Sequence, residues 1–89
     1  MLGKIQEKYE RLAKEILSEL EKRPQRRTRL LIHVIQICGS PARFDSVFRS
    51  LKQAKRIRKV GPRHTDPYKI TWVGRQYLAG LIAKEGNQK

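Results

Sequence analysis

The stretch Leu30-Leu31-Ile32-His33-Val34-Ile35-Gln36-Ile37-Cys38-Gly39-Ser40-Pro41-Ala42-Arg43-Phe44-Asp45-Ser46-Val47-Phe48-Arg49-Ser50-Leu51-Lys52-Gln53 decides how this chain folds. Gly39 stops an apolar run, since glycine takes the left-handed conformation of a helix end without a Cβ penalty. Ser40 then supplies an N-cap hydroxyl, and Pro41 fits the first helical position, where its missing N–H costs nothing. The spacing predicts a helix from Pro41 to about Lys55 with Phe44, Val47, Phe48 and Leu51 on its apolar face. At about 100° per residue the opposite side carries Ala42, Ser46, Arg49 and Gln53, flanked by Arg43, Ser50, Lys52 and Arg56.

Upstream, Thr28 is an N-cap for a helix from Arg29 to Cys38. Its polar positions after Arg29, His33 and Gln36, share one narrow strip, so the helix should be buried nearly all round. Its β-branched residues leave a strand open as the other reading. Earlier still, Leu2, Ile5, Tyr9, Leu12, Ala13, Ile16, Leu17 and Leu20 recur at steps of three and four, an amphipathic helix that Pro24 ends. Glu10 with Lys14 and Glu19 with Arg23 stand at i,i+4 spacing in the better orientation. About 19 residues make a rod of roughly 28 Å. Either this is a core helix of a monomer, or its face also meets a second copy of the chain.

Downstream, Ile57 and Val60 bracket charges in a strand-like alternation, Gly61 to Pro67 is turn-rich, and Tyr68 to Trp72 alternates again. The two runs pair as a hairpin with a basic tip. Thr71 or a neighbour caps a last helix bearing Val73, Tyr77, Leu78, Leu81 and Ile82. Helix, helix, short turn, helix, hairpin, helix is the order of a winged helix-turn-helix. The expected class is α+β, mostly α, with a three-helix core, a two-stranded β wing and a C-terminal helix, as a single domain over residues 1–89. Residues 1–23 form its amphipathic helix and possible dimer contact.

Eighty-nine residues with a net charge of +13 narrow the partners. Residues 1–22 balance five basic side chains against five acidic ones, and residues 23–84 hold fifteen Lys and Arg against only Asp45 and Asp66. Solubility does not require a single-sign excess of that size, so a polyanion is the expected partner. Hydrophobic residues at 38% suffice for one small core and argue against wholesale disorder. The apolar run Leu30 to Cys38 falls far short of the ~20 residues that cross a bilayer. No secretory leader opens the sequence, so the chain is expected in the cytoplasm, associated with the nucleoid.

Tyr68-Lys-Ile-Thr-Trp-Val-Gly-Arg-Gln-Tyr-Leu78 resembles the Tyr-x-Leu-Thr-x-x-Gly-Arg-x-x-Leu segment that closes the wing in winged-helix regulators of the MarR and PadR type and their small archaeal, plasmid and viral relatives. Phe48-x-x-Leu51 through Ile57 resembles the end of their recognition helix and the first wing strand. The likeness spans about residues 28–84. Where the family writes Gly-Leu-Ile before the wing, this chain has Lys55-Arg56-Ile57, and the region from Cys38 to Phe48 is shorter than in MarR proteins. Residues Arg29 to Cys38 can match the first or the second core helix; as the second, they make Gly39 and Ser40 the turn of the motif.

In that frame the helix after the turn enters the major groove of double-stranded DNA. Arg49 can reach guanine O6 and N7 or a phosphate, Gln53 can pair with adenine, and Ser46 can meet a base or a phosphate. Arg43, Lys52 and Arg56 flank the helix, where phosphates are expected. Arg26, Arg27 and Arg29 cluster where helix amides attract a phosphate, or form a solvated basic turn. The wing offers Lys59, Arg63, His64 and Thr65, with Arg63 expected in a minor groove or along its phosphates, and Lys69 in support.

Catalytic chemistry finds no residues to build on. His33, His64 and Cys38 lack metal-ligand spacing, two aspartates do not furnish a carboxylate centre, and no phosphate-binding loop or activated nucleophile is evident. No cofactor or small-molecule substrate is expected. The single Cys38 forbids an intramolecular disulfide and is expected to pack as a small hydrophobe. The reading is a homodimeric, sequence-specific DNA-binding regulator. The alternatives are an architectural DNA-coating protein without sequence preference and an RNA-binding winged helix. Single-strand recognition needs exposed aromatics, and most of Tyr9, Phe44, Phe48, Tyr68, Trp72 and Tyr77 fall on expected core faces.

Overall fold

The Ser40-Pro41 start is realised in atomic detail in a computed structural model, which describes residues 2–86, with side chains for 8–84. Ser40 is extended (φ −157°, ψ 150°) and its Oγ accepts the Arg43 N–H at 3.3 Å, opening α3 (Pro41–Gln53). Gly39, at φ 81°, closes α2 (Arg27–Cys38) by donating its N–H to the Ile35 carbonyl at 2.9 Å. Cys38 is buried, its thiol directed at the Ser40 carbonyl at 3.3 Å. Before them runs α1 (Leu2–Lys22), and after them come β1 (Ile57–Lys59), β2 (Tyr68–Ile70) and α4 (Trp72–Gly86). The described chain is thus α+β and mostly helical, with four helices and one two-stranded antiparallel sheet. No helix in it is long and apolar enough to cross a membrane.

The core forms where three apolar stripes meet: Leu12, Ala13, Ile16, Leu17 and Leu20 of α1, Leu30 and Val34 of α2, and Phe44, Val47, Phe48 and Leu51 of α3. Ile57, Tyr68 and Ile70 close it from the sheet, and Leu78 from α4. The outer part of the α1 face, Leu2 and Ile5, lies outside the described side chains. Phe44 is fully buried, and truncating such a ring costs about 3–5 kcal/mol.

Several expectations are corrected. α2 begins at Arg27 with Arg26 in the N-cap position, so Thr28 is already helical and caps nothing. Nor is α2 buried all round: α1 and α3 cover the Leu30, Val34 and Cys38 side, leaving Ile32 64% exposed and Ile37 exposed. α3 ends at Gln53, two residues early, because Lys55 turns into the left-handed region at φ 59°. On α4, Val73 and Ile82 are exposed rather than part of the apolar face, and Trp72, at the first helical position, stands out into solvent. Glu19 bonds Lys22 at 2.8 Å instead of Arg23, which lies past the end of α1. That hydrogen bond from Lys22 holds the Glu19 carboxyl below its ordinary range.

The hairpin is tied in at three places. Its strands pair Ile57 with Ile70, Arg58 with Lys69 and Lys59 with Tyr68. Gln25, in the link between α1 and α2, forms a two-bond bridge to Tyr68 (3.0 and 2.7 Å), adding a single antiparallel residue beside β2. Thr71 does the most: its N–H donates to the Arg56 carbonyl at 3.0 Å, its hydroxyl donates to the Lys55 carbonyl at 2.6 Å, and its Oγ accepts the Gly74 N–H at 3.1 Å as the cap of α4. The close approach explains Gly74. A Cβ there would drive into the Arg56 carbonyl oxygen and the Ile70 side chain.

Two stability outcomes follow. Gly74→Ala forces α4 off the Arg56 backbone and should cost about 3 kcal/mol in urea unfolding, the upper range for overpacking. Lys55→Gly relieves a left-handed non-glycine residue and should stabilise by about 0.5–1 kcal/mol. An unchanged midpoint for Gly74→Ala, or a lower one for Lys55→Gly, contradicts this account of the junction.

Candidate nucleic-acid interface

The segment that opens α2, the middle of α3 and the hairpin enclose an open groove of about 620 Å³. Its floor is aromatic. Phe48 and Tyr68 of β2 line it, meeting edge-on at 4.8 Å between centroids, and Phe48 in turn stacks at 5.3 Å on Phe44, fully buried one turn earlier on α3. Such ring pairs contribute about 0.5–1.5 kcal/mol beyond buried area and fix the spacing between helix and strand.

Cations line the rim. Lys52 of α3 and Lys59 of β1 approach the Tyr68 ring from their separate elements, with ammonium nitrogens 5.7 and 6.0 Å from its centroid. Arg26, Arg27 and Arg49 complete the set, with His64 and Thr65 reaching in from the hairpin loop. Two carboxylates share the groove, and both are engaged. Asp45 pairs with Arg27, whose guanidinium also lies 5.3 and 5.9 Å from the Phe44 and Phe48 centroids. Asp66 folds the loop, accepting the Arg63 N–H at 2.9 Å while its own N–H donates to the Arg63 carbonyl. Gly61 permits this turn, since a Cβ there would collide with the Asp66 carboxylate. Among the described residues no ion pair engages Arg26, Arg49, Lys52 or Lys59, so the groove presents uncompensated positive charge.

Seven of the fourteen residues singled out from sequence meet in this groove, Arg26, Arg27, Arg49, Lys52, Lys59, His64 and Thr65, whereas Lys69 lines the opposite side of the hairpin. Arg43, Ser46 and Gln53 are exposed on α3 outside the concavity, as are Arg29 on α2 and Arg63 at the loop tip. Arg56 is placed elsewhere. Lying past the left-handed turn at Lys55, its guanidinium stacks 3.6 Å from the centroid of Tyr77 on α4, and its buried Nε has no hydrogen-bond partner. Burial pushes the Tyr77 phenol above its ordinary value, reinforced by Tyr9 and opposed by the charge of Arg56. Arg56 thus props α4 against the start of the hairpin.

Sequence reasoning passed over Asp45 and Asp66 as groove residues and Tyr68 as the ring between two lysines. The Asp66 turn had a legible signal, an aspartate three residues after an exposed loop position and beside Pro67. The Arg27–Asp45 pair had none, since its partners are joined only by the packing of α2 on α3.

Arranged this way, the groove can neutralise several phosphates at once while Arg49 projects donors from a helix whose other side is anchored in the core. Comparison with protein-family models, with curated proteins and with solved structures finds no match for this chain.

Proposed function

We propose that this chain is a winged helix-turn-helix protein that binds double-stranded DNA in a sequence-specific manner, as a nucleoid-associated transcriptional regulator. In this reading α3 is the recognition helix in the major groove and the loop 61–67 is the wing on the adjacent groove or backbone. The observation that carries the reading is the shared concavity: Arg49 and Lys52 of α3 open into the same unneutralised basic groove as Arg26 before α2 and Lys59 and His64 of the hairpin. A helix with side chains is about 10–12 Å across, the width of the B-DNA major groove. The apolar side of α3 is buried from Phe44 to Leu51, which leaves Ser46, Arg49 and Gln53 to face a partner.

Roles divide by chemistry. Arg49 reads a guanine edge through its planar fork, and Gln53 and Ser46 extend the reading along the helix. Lys52, Lys59 and Arg26 neutralise phosphates and set the register without reading sequence. Arg27 is largely occupied by Asp45 and the phenylalanine rings, so its part is to hold the start of α2 against α3. Two copies of the chain would place two recognition helices about one turn of DNA apart, the usual geometry for half-sites. The dimer contact expected of α1 would use the part of its face before Leu12, since Leu12 to Leu20 are taken up by the core; sedimentation near 10.4 kDa, the mass of one chain, would reject self-association.

The electrostatic part is tested by salt. With about six to ten phosphates neutralised by the dimer, affinity should fall by about 10³ to 10⁵ between roughly 50 and 200 mM monovalent salt, and a flat response rejects it. The readout part is tested by substitution. Arg49→Ala should relax preference at one base position by about 1–3 kcal/mol, and Lys52→Ala should weaken binding alike on all duplexes. Selection from a random duplex pool should enrich one motif; a pool that stays random favours an architectural coating role instead.

A further inference from the structure

The far face of the hairpin carries a second basic concavity, of about 480 Å³, between the end of α1, the two strands and the first turn of α4. Strand alternation creates it. Ile57, Lys59, Tyr68 and Ile70 occupy the core side of the ladder, so Arg58 and its cross-strand partner Lys69 project from the other side. Like charges directly opposite each other weaken a ladder, and here they stand beside Lys22, Arg23 and Arg75, with Glu21 the one carboxylate in the lining, so five cations outweigh one acid. Glu19 holds Lys22, whereas among the described residues no ion pair engages Arg23, Arg58, Lys69 or Arg75.

Among these cations stands Trp72, the only tryptophan in the chain, 73% exposed. The backbone beneath it is fixed by the Thr71 cap, which bonds both Gly74 and the Lys55 carbonyl, so the indole is presented from an anchored position. A large aromatic ring left in water forfeits apolar burial. Four unpaired cations around it do not suit an apolar protein face. An intact duplex keeps its base faces stacked against each other, whereas an unpaired strand offers both a free base face and flanking phosphates.

We infer that this concavity binds single-stranded nucleic acid, with a base stacked on Trp72 and adjacent phosphates on Arg58, Lys69 and Arg75. The inference is independent of the duplex reading, because the two concavities share no lining residue. Trp72 is thus an exposed aromatic of the kind single-strand recognition uses.

Having one tryptophan makes the intact protein its own probe. Titrating with oligo-dT or oligo-rU of about 20 nucleotides should quench the indole fluorescence. Trp72→Ala should weaken binding of dye-labelled oligo-dT about tenfold or more, Trp72→Phe should restore much of it, and both should keep the wild-type circular dichroism. Arg58→Glu should weaken it too, and Arg49→Ala should leave it unchanged. The assignment is overturned if neither oligonucleotide quenches, if a blunt duplex or polyglutamate quenches as strongly, or if Trp72→Ala binds oligo-dT like wild type. Duplex binding by Arg49→Ala is read separately, so either reading can fail without the other.

Discussion

The edge-on contact between Phe48 and Tyr68 is the constraint on which the rest of the molecule depends. One ring belongs to the helix whose outer row is basic, the other to the returning strand. Their 4.8 Å separation sets how far the hairpin stands from α3. Tyr68 is also the residue that Gln25 bridges, so the link between α1 and α2 is tied to the same point. Three walls of the groove are therefore positioned from one buried aromatic pair. With both rings buried, the spacing follows from close packing rather than from loop conformation.

Such a groove has an electrostatic problem, because cations collected in one place repel each other. The chain meets it by neutralising selectively. Asp45 is assigned to Arg27, which is then an internal strut, and Asp66 is assigned to the Arg63 backbone N–H, which makes it a loop former rather than a counter-charge. Lys52 and Lys59 instead rest near the electron-rich face of Tyr68, an arrangement that favours a cation without removing its charge. What remains is a basic rim held by an aromatic floor, open to an external anion.

How much of this was legible in the sequence depends on how local the determining interaction is. The α2–α3 turn was fully legible, because Gly39, Ser40 and Pro41 act on their own backbone. The strand pairing and the capping role of Thr71 were legible for the same reason. The apolar face of α3 was legible from spacing, and its complement gave Arg49, Lys52 and Gln53 as outward residues. Features set by distant neighbours were not legible. Nothing near Arg56 in the sequence announces Tyr77, and only the left-handed turn at Lys55 redirects that arginine away from the basic groove. The extent to which α2 is covered depends on how many elements pack on it, so Ile32 read as core until the arrangement was known. Trp72 is a similar case: it continues the Tyr68, Ile70 alternation expected of the second strand, but β2 stops at Ile70 and the cap at Thr71 starts α4 with the indole turned outward.

The hairpin shows how little sequence is needed to build two surfaces. Each strand is three residues long, and along β1 the neighbours Arg58 and Lys59 go to opposite sides. Lys59 joins the groove at Tyr68, while Arg58 joins Lys69 and Trp72. A slip of one residue would exchange these assignments and expel Ile57 from the core, so the register must be pinned. It is pinned at both ends: Val60 donates to the Pro67 carbonyl at 2.8 Å at the loop end, and Thr71 donates to the Arg56 carbonyl at the helix end. Gly74 then matters beyond its own contact. By letting α4 approach the Arg56 backbone it allows the Thr71 bonds to form, and those bonds keep each cation on its proper face.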